Sequence, residues 1–142
     1  MSLRPLVGQY LVAAVVFLVL DLAWLGLVAQ GLYERLLGDL LAEQPNVAAA
    51  VAFYAIFLAG LVYFVIAPAV EERSLRSALF RGAAFGLVTY ATWDLTSLAV
   101  IEGFPAAIVP IDMAWGAVLA AAVSTVTFLA SQRVAGLRAS RR

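Results

Sequence analysis

Cysteine, lysine and histidine are absent from this 142-residue chain. Without them there is no disulfide, no thiolate nucleophile, no Cys/His zinc site, no Schiff base and no imidazole acid–base chemistry. Charge is scarce as well. Only 13% of the residues are charged, and nine arginines balance nine acids. A soluble domain carries roughly 25% charged residues, and a chain without net charge has no global field to attract nucleic acid. No nucleic-acid partner is expected. The chain is instead 65% hydrophobic. So small a globule buries too little of its surface to hide that excess. The surplus faces lipid, and the bilayer is the first partner.

A bilayer core takes about 20 apolar residues per helix. The charges divide the chain into four such stretches, at about 5–29, 47–70, 78–101 and 106–130. Short connections between them predict an all-α, integral membrane, antiparallel four-helix bundle in which 1–142 form a single transmembrane domain. Pro68, near the end of the second stretch, weakens its last turn. Eight of the nine arginines fall on one side of this topology: Arg4, Arg73, Arg76, Arg81, Arg133, Arg138, Arg141 and Arg142. Arg35 alone falls on the other. The positive-inside rule then puts both termini in the cytoplasm. The run after Arg4 is longer than the apolar core of a cleaved signal and contains Asp21, so it reads as a retained first span.

Between the first two spans, Leu32, Tyr33, Leu36, Leu37, Leu40 and Leu41 share one helical face, opposite Glu34, Arg35, Asp39 and Glu43. This pattern predicts a short amphipathic interfacial helix over about 31–43, acting as a lid or lipid contact or as an ordinary connector. Asn46 is placed to N-cap the second span.

Asp21, Asp94 and Asp112 are the informative residues, because ionisable groups inside spans are costly and face the bundle interior or a wet cavity. At a rise of about 1.5 Å per residue, Asp21 lies about 25 Å and Asp94 about 20 Å above the arginine-rich boundary, and Asp112 about 10 Å below the opposite one. All three therefore fall in the outer half, with Tyr54 near their level. Trp24 and Trp115 follow Asp21 and Asp112 by three residues, on the same helix face. Trp93 adjoins Asp94, and Tyr90 and Ser97 share its face. Indole and phenol groups are suited to donate hydrogen bonds to a buried carboxyl. The aromatics four residues before Asp21 and Asp94 (Phe17, Tyr90) give a weak sign of a two-plus-two repeat.

Three readings of these acids stay open. Desolvation and mutual repulsion favour neutral, proton-linked carboxyls. Three ionised acids call for a hard cation such as Ca²⁺, Mg²⁺, Mn²⁺ or Na⁺, with Asp21, Asp94 and Asp112 as ligands. Protonated or partly wet aspartates also join helices through hydrogen bonds. If the fourth span starts at Pro110, Asp112 is a first-turn acid favoured by the helix dipole. Gly82 and Gly86 form a GxxxG pattern, and Gly116 lies on a small-residue stripe of the fourth span. Both permit close helix approach, within the bundle or in a homo-oligomer. The arginine-rich tail suits anionic headgroups at about 1 kcal/mol per arginine.

Read in order, Leu20-Asp21-Leu22-Ala23-Trp24-Leu25-Gly26, Phe53-Tyr54, Pro68-Ala69, Gly82 to Gly86, Tyr90-Ala91-Thr92-Trp93-Asp94-Leu95-Thr96 and Asp112-Met113-Ala114-Trp115-Gly116 form a recognisable pattern. It resembles a bacterial family of small four-span inner-membrane proteins known as a domain of unknown function (DUF2177), over about Tyr10 to Ala122. Where the family pattern continues Leu-Thr-Asn after Asp94, this chain has Ser97, with fewer hydrogen-bonding groups. The resemblance implies a multi-pass protein of the bacterial inner membrane and singles out the same three aspartates, but it brings no activity. No standard enzyme motif is present. The expectation is a small protein whose outer-half acidic–aromatic site binds or conducts a proton, hard cation or small polar solute. The alternatives are a membrane enzyme using aspartates as acid and base on a lipid or isoprenoid, and a structural or accessory subunit.

Overall fold

The computed structural model describes residues 2–134 and 137, so Arg138, Arg141 and Arg142 of the expected basic tail lie outside the described residues. Helix α1 covers Leu3–Trp24. A π turn over Leu25–Ala29 carries it without a break into α2, Gln30–Leu37, which closes in a 3₁₀ turn at Gly38–Leu40. Helix α3 covers Val47–Leu61 and passes through a second π turn, Val62–Ile66, into α4, Ala67–Glu72. Two longer helices follow, α5 over Leu75–Val100 and α6 over Ile108–Arg133, each of 26 residues. No strand occurs among the described residues.

Local chemistry explains most of these boundaries. The Asn46 side chain accepts from the Ala49 amide at 3.0 Å, the expected N-cap. Ser74 does the same for α5, accepting from Ser77 N at 3.1 Å. Pro68 does not end its helix. The proline ring crowds the carbonyl four residues earlier, that of Phe64, and this residue lies inside the wider π turn that relieves the clash. The helix stops only at Arg73, whose left-handed backbone (φ 53°) turns the chain.

Three continuous helical stretches are long and apolar enough to cross a membrane: Leu3–Leu40, Val47–Glu72 and Ile108–Arg133. The fourth expected span corresponds to α5. It equals α6 in length, but Arg76, Arg81, Asp94 and its hydroxyl residues make it the most polar of the four. The expected interfacial helix is corrected in two respects. It is a continuation of the first span, and its helical structure ends at Leu40, short of Glu43. Its faces are as expected near the bundle: Leu32, Tyr33, Leu36 and Leu37 are half-buried, while Glu34, Arg35 and Asp39 are exposed.

Neighbouring helices run antiparallel. Gly82 lies against Ser124 and Gly86 against Ala120 across the α5–α6 seam, while Phe17 packs on Phe57 between α1 and α3. The α5–α6 seam is close because glycines line it. A Cβ on Gly86 would fall 2.6 Å from the Gly116 carbonyl carbon, and one on Gly82 would fall 2.9 Å from the Ala120 carbonyl oxygen. The GxxxG pattern thus packs within one bundle. On α1 the buried stripe is Gln9, Ala13, Phe17 and Asp21, whereas Leu3, Val7, Leu11, Val15 and Leu22 face outward. Polar groups inside and leucines outside is the inverse of a soluble bundle, and it suits a hydrocarbon surround.

Candidate functional site

Asp21, Asp94 and Asp112 converge where α1, α5 and α6 meet. Asp94 is completely buried, and Asp21 and Asp112 are 8% and 9% exposed. Helix α6 begins at Ile108, so Asp112 sits beyond the first turn, and the helix dipole does not account for it. Two linked groups form. In one, the Tyr54 hydroxyl donates to Asp21 Oδ2 at 3.0 Å, and the buried Trp115 indole nitrogen lies beside Asp21 without reaching hydrogen-bond geometry. In the other, the carboxyls of Asp94 and Asp112 face each other, and the Tyr33 hydroxyl donates to Asp112 Oδ1. Neither oxygen of Asp94 receives a donor among the described residues.

The aromatics join the two groups. Trp24 and Trp115 stack with centroids 4.4 Å apart and planes 7° from parallel, and Trp24 Nε1 donates to the Tyr33 hydroxyl at 3.4 Å. Tyr90 is within electrostatic reach of Asp21, Tyr33, Tyr54 and Asp112, and its ring fills the space that Gly116 leaves open. Of the expected site residues, Trp93 alone stands apart. It is 60% exposed and packs edge-on to Phe104 in the α5–α6 connection. Adjacent helical residues point about 100° apart, so Asp94 turned inward sends Trp93 outward.

Tyr33 is the site residue that periodicity assigned to an apolar face and not to the acids. The π turn explains the difference. In an unbroken α-helix, twelve residues past Asp21 place Tyr33 about 120° around the axis. A π turn absorbs about one extra residue, a step of roughly 100°, and returns Tyr33 to within about 20° of the Asp21 face. Helical side chains lean toward the N-terminus, so the phenol hangs back from α2 onto Asp112. The tyrosine among leucines on that face was the signal available in the sequence.

Among the described residues, no cation neutralises the cluster. Arg35 bonds its own helix at Gly31 O, and Arg81 pairs with Glu72 at 3.0 Å on the exposed surface beside the α4–α5 turn. Among the described residues, no three acids stand close enough to hold one metal ion. Asp21 is turned to Tyr54, and Asp94 and Asp112 to each other.

The profile of a family described as "Predicted membrane protein (DUF2177)" matches residues 6–129, which include every residue of the cluster. The chain belongs to that family. None of the curated proteins and none of the solved structures matches it.

Tyr33→Phe removes the donor to Asp112 and the acceptor of Trp24 together. A hydrogen bond to a charged group is worth about 1.5–3 kcal/mol. The expected result is a loss of that order in detergent unfolding, with a shifted tryptophan emission. Tyr63→Phe, at an outward-facing position, is expected to change neither. Equal behaviour of the two variants would show that the Tyr33 contact contributes nothing.

Proposed function

We propose that the protein binds an exchangeable proton at the Asp94–Asp112 pair and passes it to or from the non-cytoplasmic side. One observation carries this reading: among the described residues, a fully buried carboxyl without a donor faces a second carboxyl, and no arginine is near. Two such groups repel when both are ionised and bond strongly when they share one proton. A divalent ion is less well served, since two carboxylates and a phenol leave most of the 6–8 oxygen positions of Ca²⁺ unfilled. Asp21 with Tyr54 forms a second station, and Tyr90 lies between the two.

The arginine distribution supports both termini in the cytoplasm, and family membership supports a membrane location. In that orientation the cluster lies toward the outer face. Reconstituted in liposomes with an internal pH dye, the wild type is expected to dissipate an imposed pH gradient. Asp94→Asn and Asp112→Asn are expected to fall to the rate of protein-free vesicles. Undiminished flux in both variants would end this reading.

One observation favours a second reading, a lipid- or isoprenoid-directed activity. An apolar groove of about 470 Å³, lined by Trp24, Pro110, Ile111, Ala114, Trp115 and Val118, opens on the flank of α1 and α6 beside the stacked indoles. Deletion of the gene with an unchanged lipid profile would remove its support.

A further inference from the structure

A second set of buried polar groups lies at the other end of the bundle, where the start of α1 lies beside the end of α6. Trp24 stacks on Trp115. Fifteen residues back along α1 is Gln9, and fifteen onward along antiparallel α6 is Ala130, so Gln9 lies level with Thr127 and Ser131. Ser124, Thr127 and Ser131 follow one another on a single α6 face, and all three are completely buried; Gln9 is 2% exposed. Gln9 Nε2 donates to Leu137 O at 2.9 Å, but Gln9 Oε1, Ser124 Oγ and Thr127 Oγ1 have no partner among the described residues.

Ser77 Oγ and Thr125 Oγ1 also lack a partner among the described residues, but other hydroxyls in the bundle behave differently. Thr89, Thr92 and Thr96 each bond the carbonyl one turn back, as does Ser131 to Thr127 O at 2.8 Å. That local bond is the usual refuge of a helical hydroxyl, and Ser124 and Thr127 do without it. An unpaired buried hydroxyl or amide costs about 1–3 kcal/mol, and a surround of lipid offers no relief. These atoms are also remote from the acids. Asp112 lies twelve residues from Ser124, about 18 Å along α6, and the fully buried Phe17, Leu61, Leu119 and Val123 fill the core.

We propose that Gln9, Ser124 and Thr127 bind internal water at this end of the bundle, in a site separate from the aspartates. A buried water makes about three hydrogen bonds to otherwise unsatisfied groups. Gln9 Oε1, which only accepts, and Thr127 Oγ1, which donates or accepts, offer partners toward the end of α6, and Ser124 Oγ offers another one turn farther in, beside Gly82, so more than one water is needed to serve all three. The apolar layer of Phe17, Leu61, Leu119 and Val123 separates this water from the aspartates.

Infrared spectra of hydrated membrane films, before and after exchange into heavy-oxygen water, test this. The wild type is expected to show an isotope-shifted internal-water O–H band. Thr127→Val, which keeps the shape of the side chain, and Ser124→Ala are each expected to weaken or abolish it, and Asp94→Asn to leave it unchanged. Absence of the band in the wild type, or a band unmoved by both hydroxyl variants, would overturn the proposal. A band lost only in Asp94→Asn would also overturn it, by assigning the water to the acid cluster. Because flux tests the aspartates and this band tests the hydroxyls, either proposal can fail alone.

Discussion

Gly86→Ala is expected to unfold the bundle or loosen it by about 3 kcal/mol or more, the upper end of overpacking costs. The new methyl group would overlap the Gly116 carbonyl and stand 2.7 Å from Ala120 Cβ. These neighbours are helix backbone and a side chain with no rotamer to change, so the only relief is to move α5 away from α6. That seam also carries Asp94 and Asp112 on its two sides, and separating the helices separates the carboxyls. Thermal unfolding in detergent reads the first effect and proton flux the second. Gly31→Ala is the control: nothing lies within 4 Å of its Cβ position. Removing a helical glycine should leave stability unchanged or raise it by up to about 1 kcal/mol. Equal stability of the two variants would refute the close seam.

Asp94→Asn is expected to act in the opposite sense, raising stability while removing function. Both Asp94 oxygens are buried without a donor, and an unsatisfied buried group costs about 1–3 kcal/mol, more when charged. An asparagine amide supplies the missing donor, bonding the Asp112 carboxyl directly and imitating the shared proton in permanent form. Detergent unfolding is therefore expected to shift upward by up to about 1–3 kcal/mol at a pH where the pair has lost its shared proton, with flux at background. Asp94→Ala instead strands the Asp112 carboxyl with Tyr33 alone and is expected to destabilise. If Asp94→Asn and Asp94→Ala lose stability equally, the pair is not held by a proton, and the aspartates serve only to tie helices together. The gain in stability with loss of flux separates a working site from a structural one.

Much of this architecture was legible in the sequence. The apolar excess required lipid, the charge spacing located helices within a few residues, and Asn46 marked the start of α3. The positions of Asp21, Asp94 and Asp112 along their helices followed from helical rise alone, because distance along a helix depends only on residue count. Asp94 and Trp93 show where such reading stops. Asp94 was assigned to the site as an acid inside a span and Trp93 by adjoining it, but neighbours on a helix diverge, and burial of the acid forces the indole outward.

Rotation about the helix axis and the pairing of helices were decided by the tertiary structure. Rotation depends on every intervening hydrogen bond, and a single π turn at Leu25–Ala29 was enough to bring Tyr33 onto Asp112. Nothing in an apolar run announces such a turn, since the residues it contains are as apolar as those around it. Pairing likewise depended on surfaces from distant parts of the chain. Gly82, Gly86 and Gly116 permit a close seam with any partner, and only the packed bundle shows that they meet one another. Composition and spacing thus settled what the chain dissolves in and where along their helices its acids lie. Which carboxyl faces which, and which is left without a donor, was settled by packing.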